Sequence, residues 1–402
     1  MKTINLETEF CGVKFLNPFI LAASPSTDSR EMVARGFNAG WAGAVLKTTS
    51  VESDVVEIAY PIMSSLYPGY QMVGLHNIDL ISDKRIDQIA SNVVWLKERF
   101  PEHRVIVSIV GNSKEEWEYL IRRAEEAGAD LIELSISCPQ GSMLEGEEDV
   151  DGEMISQDAR LTEKVTRWAA VAAVKIPIYV KLSAAVTDLK SIAQAVERGG
   201  AGGVCVMDSC EGIVGVDLQS LSPLPSVQGA SSRGGYTGKA IKPMALRCVA
   251  DIAEAVKIPI SGVGGIYTWR DAVEFLLLGA TTVQVCTGVM HIGFDLVDDL
   301  QDGLKRWLLS NHFQSPSDIV GLSLNHLKSN DYLVRGIKVR SRIDDDLCIN
   351  CGLCYVACRD GGHEALLFSE DRKVTVDDDR CVGCGLCAQV CPVPDCISIQ
   401  AV

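Results

Sequence analysis

The chain carries the two runs CINCGLCYVAC (348–358) and CVGCGLCAQVCP (381–392), which together hold eight of its 15 cysteines. Thiolates at this spacing bind [4Fe–4S] clusters, and in a pair of runs the fourth cysteine of each run ligates the other cluster. Zinc is disfavoured because a zinc site needs four ligands and would not use two four-cysteine runs at this spacing. Disulfides are disfavoured because they are typical of small secreted domains. The runs therefore predict a C-terminal α+β ferredoxin-like domain with two clusters. The predicted ligands are Cys348, Cys351, Cys354 and Cys391 for one cluster, and Cys381, Cys384, Cys387 and Cys358 for the other.

Length and charge limit what the rest of the chain can be. With 402 residues it can hold a (β/α)8 barrel as well as a small domain. The formal net charge of −16 argues against binding to nucleic acid or to anionic lipid. No apolar run approaches the roughly 18 residues that cross a bilayer, and the first residues lack the apolar core of a secretory signal. Together with the many thiols, these features lead us to expect a reducing cytoplasm.

Between about 18 and 310 the sequence repeats one unit, a short β-branched run followed by an amphipathic helix. Apolar strands that alternate with helices indicate a parallel sheet covered on both faces. Eight such units favour a closed TIM barrel over an open doubly wound sheet. An open sheet more often has a G-x-G-x-x-G after its first strand, and this sequence has none there. The predicted strands are 19–23, 44–47, 105–109, 131–136, 178–182, 203–207, 259–262 and 282–286, and the predicted helices include 114–127, 161–174, 189–198, 243–256 and 268–278.

We therefore predict three segments: the barrel at 1–314, a linker at 315–342 and the ferredoxin-like domain at 343–402. The basic end of the linker either packs on the acidic domain that follows or lies in solvent. Two connections within the barrel are long, 48–82 and 138–158. In barrels of this kind such insertions follow the C-terminal ends of strands, where catalytic loops lie.

Two glycine-rich turns follow the last two predicted strands, SGVGG at 261–265 and CTG at 286–288. Glycine lets the backbone approach an anion closely, and a helix N-terminus favours negative charge. Because the loops after strands 7 and 8 form the usual phosphate site of a barrel, these turns predict phosphate binding. Tight packing of helix against strand is the alternative.

Three reactive side chains lie at predicted strand ends. Lys47 and Lys181 end the second and fifth strands, and a lysine inside an apolar strand is costly unless its ammonium finds an acceptor. The two lysines indicate either an electron-rich ligand or structural ion pairs. Cys138 follows the fourth strand and is a candidate catalytic acid or nucleophile. Taken alone, it could equally be a buried thiol.

The order of these motifs resembles that of the dihydropyrimidine dehydrogenase family, in particular its bacterial iron–sulfur/FMN subunit. The barrel is also similar to the cysteine-type dihydroorotate dehydrogenases, and the resemblance covers nearly the whole chain. The matching segments are AGW (39–41), VLKT (45–48), SISCP (135–139), VKL (180–182), YTGKAIKPMALR (236–247), GGI (264–266) and QVCTG (284–288).

The resemblance implies that the phosphate belongs to FMN. Lys47 and Lys181 would then hydrogen-bond the flavin ring and stabilise its reduced anion. Cys138 matches the family's general acid, which protonates one carbon of an activated C=C bond while flavin N5 delivers hydride to the other. The other implied cofactor residues are Ala22 and Ala23 at the flavin, and Gly238, Gly264, Gly265, Thr287 and Gly288 at its phosphate.

Substrate residues implied by the resemblance depart from the family pattern. The family binds the pyrimidine edge with asparagine side chains, and this chain retains Asn77. Ser135 stands where the family has Asn, Asp208-Ser209 replaces Asn-Thr, and a serine beside Asn112 replaces a third Asn. Since a site built for hydrogen bonds rejects analogues that lack them, two interpretations remain. Either a pyrimidine binds in another pose, or the substrate is a different ring or enone with a polarised C=C bond.

The sequence shows no G-x-G-x-x-G after a strand with an acidic residue about 20 residues on, so it predicts no nicotinamide-binding fold. NAD(P)H electrons would therefore come only through a partner, an NAD(P)H-oxidising FAD flavoprotein subunit, and pass the clusters to FMN. We expect a homodimer or heterotetramer that acts on a small cyclic substrate, most simply a pyrimidine and its 5,6-dihydro form. The alternative is an electron-transfer subunit without substrate chemistry, which the presence of Cys138 and the two lysines disfavours.

Overall fold

A computed structural model of the protein describes residues 4–51, 56–66, 69–136 and 152–402. The chain forms two compact units, Met1–His326 and Leu327–Val402. Cys138 lies outside the described residues, as does most of the predicted connection 138–158.

Among its described residues the first unit has 14 strands, and eight of them close into a parallel barrel. The strands are β1 Thr8–Phe10, β2 Val13–Phe15, β3 Phe19–Leu21, β4 Gly43–Thr49, β5 Met63–Leu66, β6 Gly74–Asn77, β7 Arg104–Ile109, β8 Leu131–Ser135, β9 Ile178–Leu182, β10 Gly203–Val206, β11 Cys210–Gly212, β12 Gly234–Thr237, β13 Ile260–Val263 and β14 Ala280–Val285. The barrel order is β10-β13-β14-β3-β4-β7-β8-β9. The predicted TIM barrel is therefore confirmed, and each predicted strand is found with its ends shifted by two residues or fewer.

Helices connect the barrel strands and begin where the sequence supplies caps. The Ser113 hydroxyl accepts the N–H of Glu116 at the start of one helix (3.3 Å), and another ends at Gly200 with a φ of 94°. The helices of this unit are α1 Arg30–Ala39, α2 Ile86–Arg99, α3 Lys114–Glu126, α4 Gly152–Gln157, α5 Ala159–Ala172, α6 Leu189–Gly199, α7 Lys242–Ala253, α8 Trp269–Leu277, α9 Thr287–Ile292 and α10 Leu296–Ser310. All five predicted helices are present.

A four-stranded antiparallel sheet, in the order β11-β12-β6-β5, joins two insertions of the barrel. Strands β5 and β6 lie in the predicted long connection 48–82. Strands β11 and β12 lie in a third long connection, between β10 and α7, which the sequence analysis did not predict. In this sheet Asn77 pairs with Gly235, and its side-chain N–H donates to the Gly235 carbonyl (3.0 Å).

The second unit contains β15 Val339–Ile343, α11 Leu353–Gly361, β16 Leu366–Phe368, β17 Val374–Val376, α12 Leu386–Val390 and β18 Ile397–Ala401. Strand β15 pairs with β18 along its whole length, and β16 pairs with β17. This mixture of short strands and helices is the α+β fold predicted from the cysteine runs.

The predicted linker, 315–342, is divided between the two units. Its first part belongs to the barrel unit, where the Ser323 N–H donates to the Leu277 carbonyl (2.9 Å). Its last residues form β15, and Arg340 and Arg342 there bind Asp378 at 3.1 and 2.8 Å. The basic end is therefore a strand of the acidic domain, because pairing with β18 satisfies its backbone and Asp378 its charge.

Within the described residues, no helix is both long enough and apolar enough to span a membrane.

Candidate functional site

Two adjoining cavities lie at the C-terminal ends of the barrel strands. The larger has a volume of about 160 Å³ and the smaller about 60 Å³. They share lining residues contributed by β9, by the segments after β3, β10 and β14, and by β12 of the inserted sheet. The shared residues are Ala23, Lys181, Asp208, Ser209, Thr237, Cys286 and Thr287. This rim is where barrels of this kind carry their catalytic and binding residues.

The structure brings together all nine residues that the sequence analysis assigned to the cofactor. The smaller cavity is lined by Ala22, Gly238, Gly264, Gly265 and Gly288, the larger by Lys47, and both by Ala23, Lys181 and Thr287.

Four of the five candidate substrate residues also lie here: Asn77 and Ser135 line the larger cavity, and Asp208 and Ser209 line both. Asn112 lines neither. Its backbone N–H donates to the Glu116 carboxylate (2.9 Å), and the neighbouring Ser113 caps α3. Neither contact uses the Asn112 side chain, so its assignment to the substrate stays a prediction. Cys138, the candidate acid, lies outside the described residues.

Three glycine turns of the smaller cavity, at Gly238, at Gly264-Gly265 and at Gly288, lie close to one another. Gly264 and Gly265 have φ of 132° and 74°, which favour glycine. A Cβ added at Gly265 would lie 2.7 Å from the Lys242 Cβ, and one at Gly288 would lie 2.5 Å from the Ile266 carbonyl oxygen. These glycines are therefore tightly packed, as the alternative interpretation predicts. The packing also leaves a rim made of backbone, beside the Thr237 and Thr287 hydroxyls (2.9 Å apart), which suits a phosphate.

Each of the two lysines faces a carboxylate in the larger cavity. The Lys47 ammonium lies 3.1 and 3.0 Å from the two carboxylate oxygens of Asp79, and both side chains are less than a tenth exposed. The Lys181 ammonium lies 3.7 Å from an oxygen of Asp208. The predicted alternative of ion pairs is therefore present, and the ammonium groups still line the cavity. Asp79 was not predicted, because nothing in the local sequence pairs it with Lys47, 32 residues away.

A fully buried carboxylate, Glu133, lies inside the barrel on the strand next to Lys181. It accepts hydrogen bonds from the Ser108 hydroxyl (3.0 Å) and the Tyr179 hydroxyl (2.9 Å). Burial alone would lower the pKa of Lys181, but the charges of Asp208 and Glu133 outweigh it and raise that pKa. Lys181 is therefore a fixed cation at the cavity floor. Glu133 is a residue of the site that was not predicted from the sequence.

Replacing Lys181 by methionine is expected to lower the free energy of unfolding of the barrel by about 3–5 kcal/mol, because Asp208 and Glu133 would lose their buried cation. All six tryptophans lie in the first unit, so tryptophan fluorescence during urea unfolding reports on it alone. Lys190→Met is the control. Its partner Glu254 is 2.7 Å away, but both side chains are over 40% exposed (43% and 44%), so a loss of at most about 1 kcal/mol is expected. Equal losses in the two variants would contradict the electrostatic role of Lys181.

In the second unit, the cysteines of one predicted cluster surround a common cavity. Cys358 from the first run lines it together with Cys381, Cys384 and Cys387 from the second, as the crossed assignment predicts. The N–H groups of Ser341 and Ala365 donate to the sulfurs of Cys381 and Cys358, both at 3.4 Å. Hydrogen bonds to sulfur are among the features that set cluster potentials.

Burial raises the pKa of Cys354, a predicted ligand of the other cluster, and the nearby thiols of Cys351, Cys387 and Cys348 raise it further. Here Cys396, which the sequence analysis left unassigned, contacts both Cys391 and Cys348, and burial raises its pKa to about 12. None of the cysteines that the structure describes forms a disulfide. Among the described residues, no three His, Cys, Asp or Glu side chains converge tightly enough to share a single metal ion. A cubane instead takes each thiolate on a different iron.

Comparison with known proteins gives two family matches. The dihydroorotate dehydrogenase family matches residues 5–308, and the 4Fe-4S dicluster domain matches residues 341–399. The chain is 38% identical over 381 residues to the NAD-dependent dihydropyrimidine dehydrogenase subunit PreA of Escherichia coli K12, covering 92% of this chain and 89% of that one.

Two further relatives come from other lineages. The chloroplastic dihydropyrimidine dehydrogenase (NADP(+)) of Arabidopsis thaliana is 33% identical over 337 residues, which is 81% of this chain and 78% of the relative. The catalytic subunit of dihydroorotate dehydrogenase B (NAD(+)) from Pyrococcus horikoshii is 34% identical over 329 residues, which is 79% of this chain and 98% of the relative.

Proposed function

The chain belongs to the dihydroorotate dehydrogenase family of oxidoreductases, and from that premise we propose that it is the FMN- and iron–sulfur-dependent subunit of an enzyme that interconverts a pyrimidine and its 5,6-dihydro form. The observation that carries this proposal is the convergence of all nine candidate cofactor residues on two adjoining cavities at the catalytic rim of the barrel. An electron carrier without substrate chemistry would have no use for the larger cavity and its polar lining.

The smaller cavity fits the phosphate end of FMN, and the shared lining fits its ring. Backbone at Gly264, Gly265 and Gly288 can approach a phosphate closely, and the Thr237 and Thr287 hydroxyls supply donors beside it. Ala22 and Ala23 are small enough to leave room for a flat ring beside Lys181. When bound, the flavin supplies a carrier that exchanges hydride with the substrate ring.

The protein's own residues supply fixed charge, orientation and a proton. Lys47 and Lys181 are held by Asp79 and Asp208, so their charges are in place before negative charge develops during reduction, and no reorganisation is needed. The Asn77 amide has one donor committed to the Gly235 carbonyl, which leaves its carbonyl oxygen to accept a ring N–H. Cys138 is the proposed proton donor to the second ring carbon.

Electrons reach this site from a separate subunit. The two cysteine sets would hold two [4Fe–4S] clusters, and the relative from E. coli is named as a subunit. We propose that an NAD(P)H-oxidising FAD flavoprotein supplies the electrons, and that the chain works in the cytoplasm as a homodimer or within a heterotetramer. The absence of a nicotinamide-binding motif from the sequence supports this division.

Neither NADH nor NADPH is expected to reduce the purified, anaerobic chain at a useful rate, because the sequence encodes no nicotinamide site. Dithionite should reduce it fully, and a pyrimidine added to the reduced protein should then reoxidise the flavin. The visible flavin absorbance reports both steps, and 5,6-dihydrouracil, which has no ring double bond to reduce, is the matched control. Rapid reduction by NADH would contradict the partner, and failure of every pyrimidine to reoxidise the flavin would contradict the proposed reaction.

A further inference from the structure

Among the described residues that line the larger cavity, four carry charge: Lys47, Asp79, Lys181 and Asp208. They form two pairs, with nitrogen-to-oxygen distances of 3.0 Å for Lys47 and Asp79 and 3.7 Å for Lys181 and Asp208. The side chains of the first pair are 9% and 8% exposed, and those of the second pair 8% and 22%. The charges supplied by these residues are therefore balanced before any substrate enters.

This balance disfavours an anionic substrate. A carboxylate on the ring would need a cation in the cavity, and both lysines already face a carboxylate of the protein. A buried charge whose partner is shared or lost is strongly unfavourable. A ring with no charge leaves both pairs intact.

Asp208 adds a requirement on the edge of the ring. It lines both cavities, so it lies beside the space proposed for the flavin as well as the space proposed for the substrate. Its carboxylate accepts the Ser209 N–H (2.8 Å) and faces Lys181 more loosely than Asp79 faces Lys47. An ionised carboxylate can only accept hydrogen bonds. A ring carbonyl turned toward Asp208 would place two acceptors together, whereas a ring N–H or amino group would form a charge-assisted bond.

We propose that the ring bound here is uncharged and turns toward Asp208 an edge on which a ring N–H and an amino group stand side by side. Uracil also carries ring N–H groups, but a carbonyl oxygen stands beside each of them and would face the same carboxylate. The inference rests on the proposed function and narrows it to amino-substituted pyrimidines, rings with an amidine edge. Isocytosine represents this class: it keeps the reducible ring double bond of uracil and replaces the C2 oxygen by an amino group. Asp208 is then a residue that determines specificity.

The test is binding to the flavin-loaded, oxidised protein, measured by calorimetry and by the shift of the flavin spectrum. Isocytosine, uracil and orotate serve as probes, since orotate is uracil with an added carboxylate. Because a hydrogen bond to a charged group is worth about 10- to 100-fold in affinity, isocytosine should bind tighter than uracil by about that factor. Orotate should bind most weakly.

Asp208→Asn should reduce or reverse the preference for isocytosine over uracil, because an amide can both donate and accept. Asp302→Asn, on the exposed face of α10, should leave the ranking unchanged. Uracil or orotate binding the native protein as tightly as isocytosine would overturn the inference and leave the proposed function standing. An unchanged preference in Asp208→Asn would also overturn it. If none of the three rings binds either protein or reoxidises the reduced flavin, the proposed function fails with it. If Asp208→Asn does not fold, the order of the three ring affinities in the native protein still tests the inference.

Discussion

Replacing Cys138 by alanine is expected to lower kcat for reduction of the ring double bond by about 10²- to 10⁴-fold, the usual contribution of a positioned general acid. A thiol suits this step because it is largely protonated near neutral pH and can recover its proton between turnovers. Strand β8 ends at Ser135 in the wall of the larger cavity, three residues before Cys138 in the sequence. Flavin content, iron content and reduction by dithionite should not change, because none of them requires that proton.

The control is Cys248→Ala, which removes a thiol from α7 outside both cavities. Burial raises the pKa of Cys248 to about 11, so this thiol is inert at neutral pH, and its removal should leave turnover unchanged. A pH profile separates an acid from a merely structural residue. The native rate should fall on the alkaline side as the acid loses its proton, and Cys138→Ala should lack that fall. Full turnover by Cys138→Ala would exclude the acid role.

Local pattern was sufficient for the barrel and insufficient for the sheet that covers its rim. The strand at 178–182 is apolar throughout except for one lysine and is bounded by turns, so its limits were predicted to the residue. Strands β11 and β12 have only three and four residues and include three glycines, so they carry no alternation from which a strand could be predicted. They form because β12 pairs with β6, a strand far away in the sequence, and β11 pairs with β12.

The candidate site also combines residues that the local sequence could predict with residues that it could not. Lys47 and Lys181 could be identified because a cation inside an apolar strand requires an acceptor, but the acceptor itself could not. Asp79 is 32 residues from Lys47, and the pairing depends on how the insertion folds back over the rim. Asn112 is the other case. Its place beside a serine that replaces a family Asn predicted a substrate contact, whereas in the structure it lines neither cavity and its backbone N–H donates to the Glu116 carboxylate.

Loss of a single cluster ligand should abolish electron delivery from the partner while dithionite still reduces the flavin. Cys358→Ala and Cys391→Ala should each lower the iron content from about eight to about four atoms per chain, because each removes one ligand of one cubane. Cys396→Ala is the matched control. Cys396 is buried beside Cys391 and Cys348 but lies outside the spacing of the runs, so its loss should leave the iron unchanged. A drop in iron for Cys396→Ala but not for Cys391→Ala would identify Cys396, rather than Cys391, as the fourth ligand of that cluster.

Pairs of substitutions test whether the ligands cross between the runs. Cys358 and Cys384 belong to different runs but line the same cavity, so their joint replacement by alanine should still leave about four irons per chain. Cys358 and Cys351 belong to the same run, and under the crossed assignment they serve different clusters, so their joint replacement should remove nearly all the iron. If each run bound its own cluster, the two double variants would exchange these results. Iron analysis of these variants therefore distinguishes the crossed arrangement from two independent sites, which single substitutions alone cannot do.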